Sequence, residues 1–264
     1  MRGKDLRMQK DFDITPLTDV MRILREPGGC PWDREQSHRS IRQNFIEEVY
    51  EFLEAVDADD VDGMREELGD VLMQVVFHAR MAQEAERFDL QDVIDEVVDK
   101  LIRRHPHVFG NLDVENSAEV LKNWDAIKKT EKIDRTSVLD GVTKDLPGLL
   151  RAYKLQHKAA KVGFDWKKPE DCWAKVEEEI KELREAQAEG DKAHIEEEYG
   201  DLLFAMVNYG RQIGVEGEVA INACNNKFER RFRDVETQVQ ESGKDWKEFS
   251  LDELEAFWQE AKKK

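Results

Sequence analysis

The sequence is poor in residues that interrupt helices and in residues that cross-link chains. Its 264 residues include 15 glycines, 6 prolines and 3 cysteines, and 8% are aromatic. Cys30, Cys172 and Cys224 are too few and too scattered for a disulfide framework or a CxxC metal site, which favours a reducing compartment. No apolar run approaches the ~20 residues that span a bilayer, and none follows the basic residues near Met1. We therefore expect a cytoplasmic protein with no membrane partner.

Positive charge is also in deficit. Asp and Glu number 59 against 41 Lys and Arg, which gives a formal net charge of −18 at pH 7. Affinity for a phosphate backbone comes mainly from surplus Lys and Arg, so a nucleic-acid polymer is excluded as the expected partner. The 40% of hydrophobic residues is nevertheless enough for a packed core.

The pattern of apolar residues predicts an all-α protein. Apolar residues recur at helical spacing through most of the chain, whereas alternating β-branched runs are absent. Residues that end helices occur at Pro27-Gly28-Gly29, Pro106 and Gly190. We predict helices at about 16–26, 38–58, 60–87, 90–104, 147–161, 170–189, 191–214, 216–241 and 251–262.

An internal repeat organises the chain. Glu47-Glu48-x-x-Glu51 and Glu66-Glu67-x-x-Asp70 return, each displaced by 131 residues, as Glu178-Glu179-x-x-Glu182 and Glu197-Glu198-x-x-Asp201. The segment after Phe109 is polar and weakly periodic, so we place the connection between the copies in its later part. The prediction is a first helical domain at 1–125, a linker at 126–146 and a second helical domain at 147–264.

The repeated carboxylates are placed to converge. On the helical wheel Glu48 and Glu51 lie side by side at the edge of an apolar stripe, as do Glu179 and Glu182 in the second copy. The next helix is apolar all round, so we expect it to be buried, with Glu67 and Asp70, or Glu198 and Asp201, at its start. Unpaired buried carboxylates are costly, so at least one should be protonated unless cations are present. The bland alternative is a solvated acidic face.

A group of oxygen ligands suits a hard cation, Mg²⁺ or else Mn²⁺, with coordination positions left for water and substrate phosphates. Hydrolysis of a phosphate ester or anhydride follows from such a site. Lys227, Arg230 and Arg231, on a later helix, are candidates to face the phosphates. A di-iron bundle would require repeated Glu-x-x-His motifs, and no P-loop, Rossmann or nucleophile-elbow motif is present.

In combination these motifs resemble the MazG family of nucleoside triphosphate pyrophosphohydrolases, in its tandem form, over nearly the whole chain. EExxE followed by ExxD on consecutive helices carries the resemblance. Further matching segments are Gly29-Cys30-Pro31-Trp32-Asp33, Arg103-Arg104-His105-Pro106-His107-Val108-Phe109, Val162-Gly163-Phe164-Asp165-Trp166 and Lys227-Phe228-Glu229-Arg230-Arg231-Phe232.

The resemblance implies a fold of two tandem four-helix bundles and Mg²⁺-dependent hydrolysis of nucleoside triphosphates between the α and β phosphates. It also implies broad specificity and a homodimer that completes the substrate pocket. The metal ligands would be Glu179, Glu182, Glu198 and Asp201, with Glu48, Glu51, Glu67 and Asp70 in the first domain. Lys227 and Arg231 would hold phosphates, Lys175 and Trp258 would contact substrate, and Lys100 and Arg104 would be the cations of the first site.

Some assignments stay open at this point. Glu178 is a candidate to orient or deprotonate the attacking water, although a metal ligand such as Glu179 is an alternative for that role. The competing function is a non-catalytic acidic adaptor that binds a divalent cation or a basic protein. A third hypothesis is a hydrolase dedicated to one nucleotide, like the related all-α dUTP or phosphoribosyl-ATP enzymes.

Overall fold

The computed structural model describes residues 13–130 and 136–263, and these residues form helices joined by short connections. The first twelve residues of the predicted first domain, five residues of the predicted linker and Lys264 lie outside the described residues. The helices are α1 (Thr15–Arg25), α2 (Pro31–Glu35), α3 (Arg42–Asp57), α4 (Val61–Glu84), α5 (Leu90–Arg104), α6 (Pro106–Phe109), α7 (Ser117–Thr130), α8 (Gly148–Ala160), α9 (Pro169–Glu189), α10 (Lys192–Gln212), α11 (Gly217–Ser242) and α12 (Leu251–Ala261).

The all-α prediction is confirmed, and each of the nine predicted helices is present. Sequence periodicity missed α2 and α6, which are too short to show a repeat, and also α7. Helix α7 extends into the segment predicted as the linker, whose first residues, 126–130, are helical. The chain divides into two compact units, Met1–Ile133 and Asp134–Lys264.

Local chemistry explains where several helices begin and end. Asp89 and Asp92 form a capping box at the start of α5, and Ser250 and Glu253 form another at the start of α12. Each pair satisfies backbone N–H groups that have no partner inside the helix. Helix α9 ends at Gly190, whose φ of +77° lies in the left-handed region that residues with a Cβ avoid.

In the first unit, α1 and α3 pack against α4, and α5 packs against α4 and α7. Its core is a cluster of buried residues from α1, α4 and the turn before α3. Arg25 of α1 donates to Glu84 of α4, with Nη2 to Oε2 at 2.7 Å. The members of the core cluster are Met21, Ile41, Val76, Phe77 and Met81.

In the second unit, α9 packs along α10, α8 packs against α10 and α11, and α12 packs against α11. Arg211 of α10 ties the loop before α9 to the bundle through Asp165, with Nη1 to Oδ2 at 3.0 Å. The buried apolar residues are Cys172, Val176, Ala186, Ala205, Val207, Val235, Val239 and Ala261.

The expected complete burial of the carboxylate-bearing helices was wrong within this chain. In α10 only Ala205 and Val207 are buried, and Leu203, Phe204 and Met206 are 40–44% exposed. In α4 the buried residues lie between Gln74 and Ala82, after the acidic pair. The helical wheel identifies apolar faces, but it does not say whether the same chain covers them. Among the described residues, no helix combines the length and apolar character needed to cross a membrane.

Candidate functional site

The first carboxylate cluster is formed by two adjacent helices of the first unit. Glu48 of α3 and Glu67 and Asp70 of α4 each offer a carboxylate oxygen, and these oxygens lie within 4.8 Å of one another. The i,i+3 spacing puts Glu67 and Asp70 on one face of α4, where α3 packs. All three residues are half-buried.

The second cluster also joins two adjacent helices, but two of its three carboxylates come from the first helix of the pair. Glu179 and Glu182 of α9 and Glu198 of α10 place their carboxylate oxygens within 4.8 Å of one another. Glu179 is the most buried of the three, with 5% of its surface exposed. The duplicated positions therefore form two separate carboxylate clusters, one in each unit.

Each cluster contains three of the four carboxylates predicted to meet. In the first unit Glu51 is exposed and lies outside the group, and in the second unit Asp201 does. Glu51 is nevertheless close enough to raise the pKa of Glu67.

Burial and the crowding of like charges raise the pKa of carboxyl groups in both clusters. Burial raises the pKa of Glu48, and the nearby charges of Asp70 and Glu51 raise it further. Burial together with neighbouring carboxylates also raises the pKa of Glu67 and of Glu182. These carboxyl groups therefore take up protons more readily than isolated ones, and a bound cation would reverse that tendency.

Lys175 supplies positive charge to the second cluster. It lies one helical turn before Glu179 on α9, and its Nζ is 2.7 Å from Glu179 Oε1 and 2.8 Å from Glu178 Oε1. Hydrogen bonds to Glu178 and Glu179 raise the pKa of Lys175, so the ammonium form is held firmly. Glu178, the candidate water-orienting residue, is exposed and engaged by this ion pair.

His194 is a site neighbour that the sequence analysis did not identify. Its Nε2 lies 3.2 Å from Glu198 Oε1, and its Nδ1 lies 3.1 Å from Glu189 Oε2. The hydrogen bond to Glu189 and the charges of both glutamates raise the pKa of His194. The i,i+4 spacing of His194 and Glu198 on a predicted helix was the available signal.

The predicted phosphate-facing cations lie on other helices. Lys227 and Arg230 of α11 are exposed and Arg231 is half-buried, and none of the three forms an ion pair within the described residues. The counterparts in the first unit, Lys100 and Arg104, lie near the end of α5 and are half-buried.

Two tryptophans occupy matching places beside these basic segments. Trp258 of α12 contacts Phe228, the neighbour of Lys227, with ring centroids 5.2 Å apart, and Lys262 Nζ lies 6.0 Å from its ring centroid. Trp124 of α7 lies beneath the Arg104 guanidinium at 5.5 Å and Lys128 Nζ at 4.8 Å. The repeated Trp-x-x-x-Lys spacing could have identified Trp124.

The donor sets fit a hard divalent cation. Three carboxylates from two helices provide oxygen ligands, and partial exposure leaves room for water or phosphate oxygens. Of the two clusters, the first has no Lys, Arg or His ion pair among the described residues. The clusters therefore have the composition of divalent-metal sites.

Comparisons with known proteins agree with the repeat. The MazG nucleotide pyrophosphohydrolase domain matches this chain twice, at residues 36–109 and 167–236. The chain is 47% identical over 255 residues to the nucleoside triphosphate pyrophosphohydrolase of Escherichia coli K12, with 95% of this chain and 97% of the relative covered. It is 44% identical over 247 residues to the nucleoside triphosphate pyrophosphohydrolase/pyrophosphatase MazG of Thermotoga maritima, covering 93% and 94%.

Proposed function

Because the chain belongs to the MazG nucleotide pyrophosphohydrolase family, we propose that it hydrolyses nucleoside triphosphates to monophosphates and pyrophosphate. The observation that carries this proposal is the pair of carboxylate clusters at duplicated positions, each inside one matched segment. We assign the reaction first to the second unit, where a lysine faces the cluster. Its substrates are ribo- and deoxyribonucleoside triphosphates of more than one base.

Glu179, Glu182 and Glu198 would hold Mg²⁺, or Mn²⁺, and Asp201 would join them from the next turn of α10. When bound, the cation neutralises phosphate charge and orients the triphosphate for in-line attack on the α phosphorus. The bond from that phosphorus to the oxygen bridging to the β phosphate breaks, and pyrophosphate leaves.

The surrounding side chains have separate tasks. Lys175 keeps Glu179 in place and gives the site a positive charge beside the carboxylates. Lys227, Arg230 and Arg231 would neutralise the phosphates, and Trp258 would provide an aromatic surface to the nucleotide. Glu178, once released from Lys175, would accept a proton from the attacking water or orient it.

The first unit has a parallel set of groups. Glu48, Glu67 and Asp70 would hold a cation, with Glu51 close by, and Lys100 and Arg104 would face phosphates. We add Trp124 as the counterpart of Trp258, because it lies against Arg104 of the preceding long helix, as Trp258 lies against Phe228, the neighbour of Lys227.

We also propose that two copies of the chain associate. Apolar residues beside both clusters are exposed in the single chain, including Leu68 and Leu72 of α4 and Leu203 and Phe204 of α10. Covering them in a homodimer would remove this apolar surface from water and enclose the substrate. A monomeric mass by light scattering at micromolar concentration would contradict this assembly.

The test is a panel of NTPs and dNTPs incubated with the full chain, with pyrophosphate release measured in Mg²⁺ and in EDTA. We expect release from several nucleotides in Mg²⁺ and none in EDTA. Binding of nucleotide without release would favour the adaptor function, and a steep preference for one nucleotide would favour a dedicated hydrolase. Wild-type turnover in the double variant Glu48→Gln, Glu179→Gln would overturn the site assignment.

A further inference from the structure

We propose that His38 and His78 form a proton-sensitive latch in the first unit. The latch holds the connection before α3 against α4 as long as no more than one of the two rings is charged, and this contact breaks when both rings are protonated. The inference goes beyond the proposed function and does not depend on it, because the pair belongs to neither carboxylate cluster.

The two histidines meet edge to edge. His38 lies in the connection between α2 and α3, His78 lies on α4, and their Nδ1 atoms are 2.8 Å apart. The ring planes differ by 7°, and the ring centroids are 5.1 Å apart. The centroids are thus farther apart than the nitrogens by two ring radii, which requires nearly coplanar rings whose Nδ1 atoms point at each other.

This geometry leaves room for one hydrogen between the two nitrogens. In the uncharged pair one Nδ1–H donates to the lone pair of the other Nδ1, and a first added proton on the outer Nε2 of the donor ring preserves that hydrogen bond. A second added proton would have to occupy the accepting Nδ1, so that two N–H groups and two positive charges would face each other. A metal ion does not fit between the nitrogens, because two zinc–nitrogen bonds of ~2.0–2.1 Å along one line exceed the 2.8 Å available.

The surroundings of the pair do not compensate a second charge. Burial and the charge of His38 lower the pKa of His78, and among the described residues no further charge contributes to this shift. Phe45 of α3 packs against the His78 ring, with centroids 5.7 Å apart. The charged residues of the connecting segments are exposed, and those of α1 and α4 form ion pairs with Glu84. The first group is Glu35, Arg39 and Arg42, and the second is Arg25 and Arg80.

Proton uptake on opening sets the direction of the pH effect. Two separated histidines, with the ordinary pKa of ~6.5, both become protonated in mild acid, whereas the closed pair has room for one added proton. The closed latch is therefore favoured above the ordinary pKa, and it is lost as the pH falls through the lower pKa of the closed pair. Because one more proton binds to the open form, the opening equilibrium constant rises by up to about tenfold for each pH unit below ~6.5.

The second unit has a different contact at the matching place. The 131-residue offset relates His78 to Tyr209, which contacts Trp173 of α9 with ring centroids 4.9 Å apart. A phenol and an indole thus replace the two imidazoles, and of these ring types imidazole is the one whose charge changes near neutral pH. The second unit therefore serves as an internal control for the first.

The experiment is hydrogen–deuterium exchange of the full chain in EDTA without nucleotide, read by mass spectrometry and corrected for the intrinsic pH dependence of exchange. Peptides that cover residues 36–46 of the wild type should lose protection about tenfold between pH ~6 and pH ~5. Peptides that cover residues 167–176 should keep their protection over the same range, because no histidine pair holds that segment.

Two variants remove the latch, and one matched variant preserves it. His78→Tyr gives the first unit the residue of the second, and His38→Gln removes the other imidazole. Each should reduce the pH-dependent loss of protection to less than about twofold, because the shared proton is gone. His105→Gln removes a half-buried histidine of the same unit outside the pair and should keep the tenfold loss. Circular dichroism checks folding, and if His78→Tyr is not folded, His38→Gln in the connecting segment decides.

Three results would overturn the inference. They are wild-type pH dependence in folded His38→Gln, an equal loss of protection in both units, and full protection of residues 36–46 in the wild type down to pH ~5. Because the mixture contains neither metal nor nucleotide, none of these results depends on whether the chain hydrolyses nucleotides. Failure of the latch and failure of the proposed hydrolase are therefore observed separately.

Discussion

The two carboxylate clusters differ chiefly in the positive charge beside them, and the difference is clearest at Glu48 of α3 and Glu179 of α9. In the second unit the ammonium of Lys175 contacts Glu179, and His194 contacts Glu198. In the first unit the corresponding positions are Asn44 and Gly63, and Glu48, Glu67 and Asp70 form no ion pair with Lys, Arg or His among the described residues. The two clusters, each of three carboxylates, therefore differ in the positive charge that faces them.

This difference shows how one ligand pattern can serve two purposes. A site with an excess of negative charge attracts a bare cation but repels a polyphosphate. A site whose charge is partly neutralised by lysine binds a cation less strongly by itself, and it accepts the cation and the phosphates together. We therefore expect turnover in the second unit and tighter binding of a cation without nucleotide in the first.

The largest expected effect separates the two sites by turnover. Glu179→Gln should lower pyrophosphate release by at least ~100-fold, since losing a ligand costs more than losing a group that orients one. Glu48→Gln should lower it by less than ~10-fold. The measurement is steady-state release from ATP in Mg²⁺. The exposed Glu185→Gln on the same helix is the control and should keep wild-type activity. A larger loss in Glu48→Gln than in Glu179→Gln would reverse the assignment of the active unit.

The next effect comes from exchanging the charge that distinguishes the clusters. Lys175→Met should lower turnover about tenfold, the equivalent of one charge-assisted hydrogen bond, while Mn²⁺ binding to the second cluster becomes tighter. Lys181→Met, which removes an exposed lysine paired with Glu185 on the same helix, is the control. In the opposite direction, Asn44→Lys should weaken Mn²⁺ binding to the first cluster. If neither Mn²⁺ affinity moves, charge is not what distinguishes the sites.

A smaller effect concerns the arginine–carboxylate pair of each unit. A hydrogen bond from Arg211 holds the pKa of Asp165 below its usual value, so the stabilisation is present above the unfolded pKa of ~3.9 and is lost as pH falls through the lower folded pKa. Asp165→Asn should cost about 2 kcal/mol of unfolding free energy at pH 7, between the values for exposed and buried pairs. The difference from wild type should vanish near pH ~2.

The measurement is urea unfolding followed by tryptophan fluorescence at both pH values. Asp145→Asn, at an exposed residue of the same unit with no ion pair among the described residues, is the control. Glu84→Gln tests the ion pair of Arg25 with Glu84 in the first unit. Burial raises the pKa of Glu84, but the hydrogen bonds from Arg25 and Arg80 outweigh it and lower the pKa. If Asp165→Asn still has a lower free energy of unfolding than the wild type at low pH, the substitution has removed packing and not a charge interaction.

Much of the fold can be predicted from the sequence, because apolar periodicity and capping residues indicate where helices lie and where they end. Gly190 and the Asp89 capping box mark ends that the structure places where they were expected. The carboxylate clusters were predictable because the 131-residue repeat gives each acidic residue a partner at the same helical position. Helix α7 was not predictable, because it has few apolar residues and therefore a weak helical period. Its packing against α5 is not visible in the local sequence.

Other features depend on contacts that a single sequence does not encode locally. The sequence places Leu203 and Phe204 on an apolar helix, yet the bundle of one chain leaves them exposed. Gln74 looks like an ordinary polar residue of α4, yet only 4% of its surface is exposed. Lys175 was named as a substrate contact, and its ion pair with Glu179 was implicit in their i,i+4 spacing.

The smallest expected effect is a difference in proton affinity between two histidines. Burial and the nearby ring of His38 lower the pKa of His78 in the first unit, whereas the hydrogen bond to Glu189 and the charge of Glu198 raise the pKa of His194 in the second. Imidazole titration by NMR should place His78 below ~6.5 and His194 above it. Mg²⁺ should lower the pKa of His194, because a cation held by Glu198 opposes protonation of its neighbour, and should leave His78 unchanged. His194→Gln assigns the signals, and a Mg²⁺-dependent shift of His78 alone would place the cation outside the second cluster.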